Sequence, residues 1–132
     1  MLVKHISNQS DIFIIVDGDA DGYTSASTLI NYLYELFPAY VRAHLKYAMH
    51  PGKEHGIDLA MIPKGTKLLI CPDSASNDYD EHLILKSQGI DILVLDHHEA
   101  DKRSPHACIV NNQMCEYPTK SLSGVGIVYK FC

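Results

Sequence analysis

Three carboxylates at alternate positions, Asp17, Asp19 and Asp21, sit in the run Asp17-Gly18-Asp19-Ala20-Asp21-Gly22. Carboxylates this close repel one another unless a cation lies between them, so metal binding is the chemistry that the spacing suggests. A second group, Asp96-His97-His98, brings two imidazoles and a carboxylate, and Asp73 stands in Cys71-Pro72-Asp73-Ser74-Ala75-Ser76. Oxygen ligands with one imidazole suit a borderline-hard ion, manganese first, with zinc also compatible and magnesium somewhat less so. Neighbouring side chains diverge on an extended chain. His97 is therefore assigned to the metal and His98 to a substrate phosphate.

Each group has a plainer explanation. A D-x-D-x-D-G run also opens the calcium loop of an EF-hand, but that loop needs a glutamate where this chain has Thr28, and an apolar run rather than a helix precedes it. A solvated acidic turn, an exposed histidine pair and a helix-capping aspartate at position 73 are the other ordinary readings. What speaks against all three is where the residues fall relative to the elements around them.

Asp11 to Val16 is an apolar run of strand length, as a strand buried on both faces should be. A helical pattern follows from Tyr23, with Ala26, Leu29, Ile30, Leu33 and Phe37 at spacings of three and four, and Pro38 is expected to stop it. Val41, Ala43, Leu45 and Tyr47 alternate with Arg42, His44 and Lys46, which predicts a half-buried second strand. A loop from His50 to Gly56 leads to a short helix around Ile57 to Ile62. Further strands are predicted over Lys67–Cys71, Asp91–Leu95 and Ala107–Val110. Helices are predicted over Asp80–Ser87, ended by Gly89, and from about Gly124 to the end of the chain.

Strands alternating with helices imply an α/β domain with a mostly parallel sheet flanked by helices. Such sheets bind ligands outside the carboxyl ends of their strands. Asp17 follows the first predicted strand, Asp73 the third, Asp96-His97-His98 the fourth and Asn111-Asn112 the fifth. One sheet edge would collect them all.

Composition bounds the rest. With 132 residues, 46% of them hydrophobic, the chain is one domain or a piece of one. It contains no apolar run of about 18 residues, so no membrane span is expected, and its first residues lack the layout of a secretory signal. Cys71, Cys108, Cys115 and Cys132 form no CxxC pair and read as reduced thiols of a cytoplasmic protein. A net charge of -5 argues against coating nucleic acid by bulk electrostatics. Two divalent ions held by the acidic groups would reverse that sign locally.

Taken in order, these segments resemble the DHH phosphoesterase family, and within it the RecJ-type single-strand exonucleases. The likeness covers Asp17 to Gly22 with Thr24 and Ser25, the Lys53-Glu54-His55-Gly56-Ile57 stretch, Asp73 with its small-residue tail, and Asp96-His97-His98-Glu99. It continues through Tyr117-Pro118 and the glycine-containing segment Leu122 to Lys130. Other branches of the family open with a histidine four residues before the first ligand aspartate, where this chain has Ile15.

The resemblance implies a two-metal hydrolysis of phosphodiesters, with two Mn2+ ions or Mg2+, and removal of nucleotides from the 5′ end of single-stranded DNA. It implies that Asp19 and Asp21 bind different ions, that Asp73 bridges both, and that His97 completes one shell. Asp17 would be a ligand or its neighbour, and Asp96 would orient the adjacent imidazole. A single-strand-binding or replication and repair protein is the partner such enzymes suggest. Family members usually add a ligand aspartate beyond the glycine-containing helix, and a DHHA1-type domain. The chain is expected to be an incomplete DHH domain lacking both. A phosphodiesterase acting on short oligonucleotides or small nucleotides, and a non-catalytic scaffold, are the competing functions.

Overall fold

The computed structural model describes residues 1–51 and 55–132. Residues Gly52 to Glu54 lie outside these, and with them the expectation placed on Lys53 and Glu54. Five strands form one sheet: β1 (Ile12–Val16), β2 (Leu45–Met49), β3 (Leu68–Pro72), β4 (Asp91–Asp96) and β5 (Cys108–Asn111). Their order is β2-β1-β3-β4-β5, and every neighbouring pair is parallel.

Alternate residues of each central strand feed opposite faces, which is why β1 and β3 read as unbroken apolar runs. Ile12, Ile14 and Val16 join Leu68, Ile70, Leu93 and Leu95 on one face. There they meet α2 (Ala20–Leu36), α5 (Gly124–Phe131), α1 (Leu2–Ser7) and α3 (Pro38–His44), through Leu29, Leu33, Ile127, Ile6 and Val41. Phe13, Ile15, Leu69, Cys71, Ile92 and Val94 form the other face, beneath Leu85 of α4 (Tyr79–Ser87). The result is the three-layer α/β architecture expected from the sequence.

The strand order carries the functional consequence. From β1 the chain moves outward to β2 on one side, and the rest of the sheet grows on the other. The carboxyl ends of β1 and β3 therefore flank a topological switch point, where doubly wound sheets hold ligands. Asp17 leaves β1 and Asp73 leaves β3 at that crevice.

Several local expectations are refined. Helix α2 ends at Leu36, where Pro38 was expected to stop it, but Pro38 then opens a new helix: it occupies the first turn of α3, where its missing N–H is harmless and its fixed φ favours the helix. The break lies at Phe37, whose φ of -137° and ψ of 57° separate α2 from α3. Residues 41–44 are thus helical, and the second strand is confined to Leu45–Met49, where Leu45 aligns with Ile12 and Met49 with Val16. The alternation of Val41 and Ala43 with Arg42 and His44 imitated a strand. The tertiary anchor is Tyr40, whose hydroxyl donates to the Ser10 carbonyl at 2.6 Å. Helix α2 also begins at Ala20 rather than Tyr23, because Asp19 caps it. The predicted helix around Ile57 to Ile62 is a single 3-10 turn over Leu59–Met61.

Candidate metal centre

The backbone after each strand is shaped to deliver an acidic or imidazole group. After β1, Asp17 is fully buried, and the Gly22 N–H donates to Asp19 Oδ1 at 2.9 Å to start α2. A Cβ on residue 22 would lie 2.5 Å from Asp17 Cβ, so glycine permits this tight return. After β3, Asp73 and Ala75 take φ values of 72° and 78°, a left-handed conformation that costs non-glycine residues about 1–3 kcal/mol each. Hydrogen bonds from Asp73 N–H to the Leu95 carbonyl (2.7 Å) and from Ser76 N–H to Asp96 Oδ2 (3.1 Å) hold the turn in place.

At the end of β4, Asp96 Oδ1 accepts from the N–H groups of His97 (2.7 Å) and His98 (3.2 Å) and pairs with His98 Nδ1 at 2.8 Å. From β5, the Asn111 amide donates to Ser76 Oγ and to the His98 carbonyl, both at 2.9 Å. Three strand ends are thus tied together by buried polar groups.

Potential ligand atoms of Asp73, His97 and His98 lie within 4.8 Å of one another, and so do those of Asp17, Asp19 and Asp73. Asp73 belongs to both groups. Its side chain is 1% exposed, and among the described residues neither of its carboxylate oxygens has a hydrogen-bond partner; the same is true of Asp17 Oδ1. His97 Nε2 approaches Asp73 Oδ1 at 3.2 Å without hydrogen-bond geometry. Buried anionic oxygens without donors are expensive unless a cation satisfies them, so this donor set fits divalent metal.

Electrostatics agree. Burial, then the nearby carboxylates of Asp21 and Asp19, push the Asp73 carboxyl up to about 7. The opposite edge of the sheet behaves differently. There Asp11 faces His44 at 2.9 Å, and Asp91 faces His5 at 3.0 Å and Lys86 at 2.7 Å. Among the described residues, no Lys or Arg pairs with Asp17, Asp19, Asp21 or Asp73. Asp91 has a lysine beside it, whereas the switch-point acids face only the imidazoles of His55 and His97 among the described residues.

Three details depart from the sequence reading. The His97 and His98 rings do not diverge: their centroids are 4.3 Å apart, because β4 ends at Asp96 and the Asp96 carboxylate gathers the turn. Asp21 falls in neither compact group. Its carboxylate accepts from Gly124 N–H (2.8 Å) and Val125 N–H (2.9 Å), capping α5, while Oδ2 stays 3.7 Å from His97 Nε2. His55 was not singled out, yet its Nδ1 lies 2.6 Å from Asp17 Oδ2. The signal available for it was a histidine in the loop leaving the carboxyl end of an edge strand.

His98 faces a recess of about 280 Å³ that is also lined by His55, Asp73, Ser74, Ser76 and Asp96. Burial disfavours its charged form, but the bond to Asp96 and the carboxylates of Asp73 and Asp17 outweigh it and raise the imidazole's pKa. Burial likewise pushes the Asp96 carboxyl up, and hydrogen bonds from Ser76, His98 and His97 overcome it to hold the group below its ordinary range. Both shifts favour the carboxylate–imidazolium form of the pair, beside a cluster that suits metal.

Comparison with known proteins bears on this arrangement. Residues 11–132 match the DHH family, N-terminal domain. The chain is 44% identical over 132 residues to a protein of Bacillus subtilis (strain 168) named as an SPbeta prophage-derived single-strand DNA-specific exonuclease, YorK. That alignment covers 99% of this chain and 22% of the relative. It is 35% identical over 134 residues to the single-stranded-DNA-specific exonuclease RecJ of Haemophilus influenzae, covering 98% of this chain and 23% of that one. The chain thus spans under a quarter of the length of these relatives. A crystal structure of exonuclease RecJ bound to manganese superposes with a TM-score of 0.80 at 21% identity, over 97% of this chain and 33% of that one. The fold is shared with that structure, and the match over residues 11–132 means that the chain belongs to the DHH family.

Proposed function

We propose that this chain carries the metal centre of a manganese-dependent phosphodiesterase acting as a 5′-to-3′ exonuclease on single-stranded DNA. One observation carries the reading: Asp73 is shared by both ligand groups, with two buried oxygens that no donor among the described residues satisfies. A carboxylate so placed suits a bridge between two ions. The names of the relatives, single-strand DNA-specific exonucleases, support the substrate. The manganese-bound RecJ structure supports the metal.

In this reading Asp17, Asp19 and Asp73 would hold one ion, and Asp73 with His97 the other. Asp21, in the first turn of α2 and bound to the N-terminus of α5, would assist at the second. Bound divalent ions would supply a water of lowered pKa and neutralise charge on the phosphoryl oxygens. The chain's own residues do the positioning. His98, charged through its bond to Asp96, turns its free ring nitrogen to a phosphoryl oxygen and donates a charge-assisted hydrogen bond. His55 steadies Asp17, and Asn111 fixes the backbone of His98.

The test uses manganese calorimetry together with labelled substrates, offered to the chain and to its Asp73→Ala variant. The substrates are 5′-labelled single-stranded DNA, duplex DNA and a dinucleotide. Manganese binding and single-strand degradation, both lost in the variant, are expected. Preferential loss of the dinucleotide would instead identify a small-nucleotide phosphodiesterase. Manganese affinity unchanged by the substitution would remove Asp73 from the centre.

A further inference from the structure

Beside the metal centre, on the outer side of β1, a groove of about 450 Å³ runs between α2 and the edge strand β2. Val16, Tyr23, Ser27, Asn31, Tyr47 and Met49 are among its walls, and none of its described lining residues is charged. Tyr23, Tyr47 and Met49 are 42%, 59% and 58% exposed, an unusual density of large apolar side chains for a surface that no described residue covers.

The groove adjoins the acidic cluster through the residues that flank it in the chain. Val16 immediately precedes Asp17 and aligns with Met49 across the sheet. Tyr23 stands one helical turn after Asp19, with its N–H on the Asp19 carbonyl at 3.0 Å. Tyr47 lies two residues further back along β2, about 7 Å from Met49. That is roughly the rise of two stacked nucleotides at about 3.4 Å each.

These features select one kind of occupant. A phosphate-tracking channel would need Lys or Arg, and among the described residues neither lines the groove. Aromatic side chains from two different elements, a thioether in the same lining, and the amide and hydroxyl of Asn31 and Ser27 suit flat, neutral heterocycles with polar edges. We infer that the Tyr23–Tyr47 groove is a base-stacking subsite for the one or two nucleotides next to the phosphodiester held at the metal centre. This rests on reading the Asp73 cluster as a phosphodiester site. It adds a selectivity that the cluster alone lacks: a strand whose bases are paired presents no free π-face to the tyrosines, so single-stranded nucleic acid is preferred without reading sequence.

The experiment places 2-aminopurine, whose emission is quenched on stacking, at successive positions from the end of a single-stranded oligonucleotide. The 132-residue chain is titrated into each probe with Mn2+ present. Manganese binding is measured separately by calorimetry. Quenching confined to the first two or three positions is expected. Tyr23→Leu and Tyr47→Leu should each weaken oligonucleotide binding by about 5- to 100-fold, with Phe at either position restoring it. Manganese affinity, and binding of a strand of abasic deoxyribose phosphates, should stay at the unsubstituted level. Probes that remain bright although manganese binds would overturn the subsite while sparing the metal centre, and would leave the groove to another protein segment. Quenching without any manganese binding would instead refute the metal centre and keep the subsite. Leucine variants that bind base-bearing strands as tightly as the unsubstituted chain would also overturn it.

Discussion

Gly124 at the start of α5 is packed directly against the carboxyl group of Asp73, so closely that a Cβ on residue 124 would overlap Asp73 Oδ1, Cγ and Cβ. The glycine of this helix start is therefore a spatial requirement of the Asp73 cluster. It lets the positive end of a helix approach a buried carboxylate that also carries neighbours of its own sign. Gly124→Ala is expected to displace either α5 or Asp73, lowering stability by about 1–3 kcal/mol. It should also weaken manganese binding. Calorimetric unfolding with and without Mn2+ checks both effects, and an alanine variant matching the parent in each would show that the contact is not limiting.

Asp73 also predicts how the metal-free protein responds to pH. Its folded pKa of about 7 lies above the ordinary carboxyl value of 3.8. Between those values the folded state keeps a proton that the unfolded state has released. This group's contribution to stability therefore falls as pH rises from about 4 towards 7, the reverse of a salt-bridged aspartate. Asp73→Asn, which stays neutral, should be more stable than the parent at pH 8 without metal, and much closer to it at pH 5. Adding Mn2+ should stabilise the parent at pH 8 and leave the variant largely unaffected. Equal melting temperatures for the two proteins at pH 8 would contradict this account.

What the sequence made legible is what depends on local pattern. Asp17, Asp73 and Asp96 could be placed at one edge because each ends a buried apolar run, and in a parallel sheet all such ends face the same way. The α/β architecture followed from the same alternation. Features set by distant contacts were hidden. Nothing near Asp21 reveals that its carboxylate caps a helix beginning at Gly124, and nothing near His55 reveals Asp17. The α3 misreading has a similar origin. Residues 41–44 alternate apolar and polar, yet Pro38 at a helix start and the burial of Tyr40 decide their conformation. Helix α1 was missed because six residues are too few to display a helical period.

The Asp96–His98 pair makes a third test. Removing the carboxylate charge takes away the strongest influence raising the His98 pKa, so Asp96→Asn should lower it. If charged His98 holds a phosphoryl oxygen, activity falls as pH climbs through that pKa, and the variant's falling limb should move to lower pH. His98→Ala should reduce kcat by about 10²-fold or more while leaving manganese affinity nearly unchanged. Titration of the His98 ring protons by NMR reads the shift without relying on turnover. An unmoved titration would detach Asp96 from this role.

Asp21 invites the sharpest separation of two jobs, because the same carboxylate caps α5 and lies 3.7 Å from the imidazole of His97. Asp21→Ala removes both functions. It leaves the N–H groups of Gly124 and Val125 without their acceptor, which should lower stability by about 1–2 kcal/mol even in the absence of metal. Asp21→Asn retains one acceptor oxygen for the helix but loses the charge. If Asp21 only caps, the asparagine variant should recover most of the stability and bind manganese like the parent. If it also reaches an ion, stability returns but manganese affinity does not. The second outcome is expected, because the carboxylate stands beside His97 and no Lys or Arg among the described residues offsets its charge. Melting curves and manganese calorimetry on the two variants therefore distinguish a helix cap from a cap that doubles as a ligand.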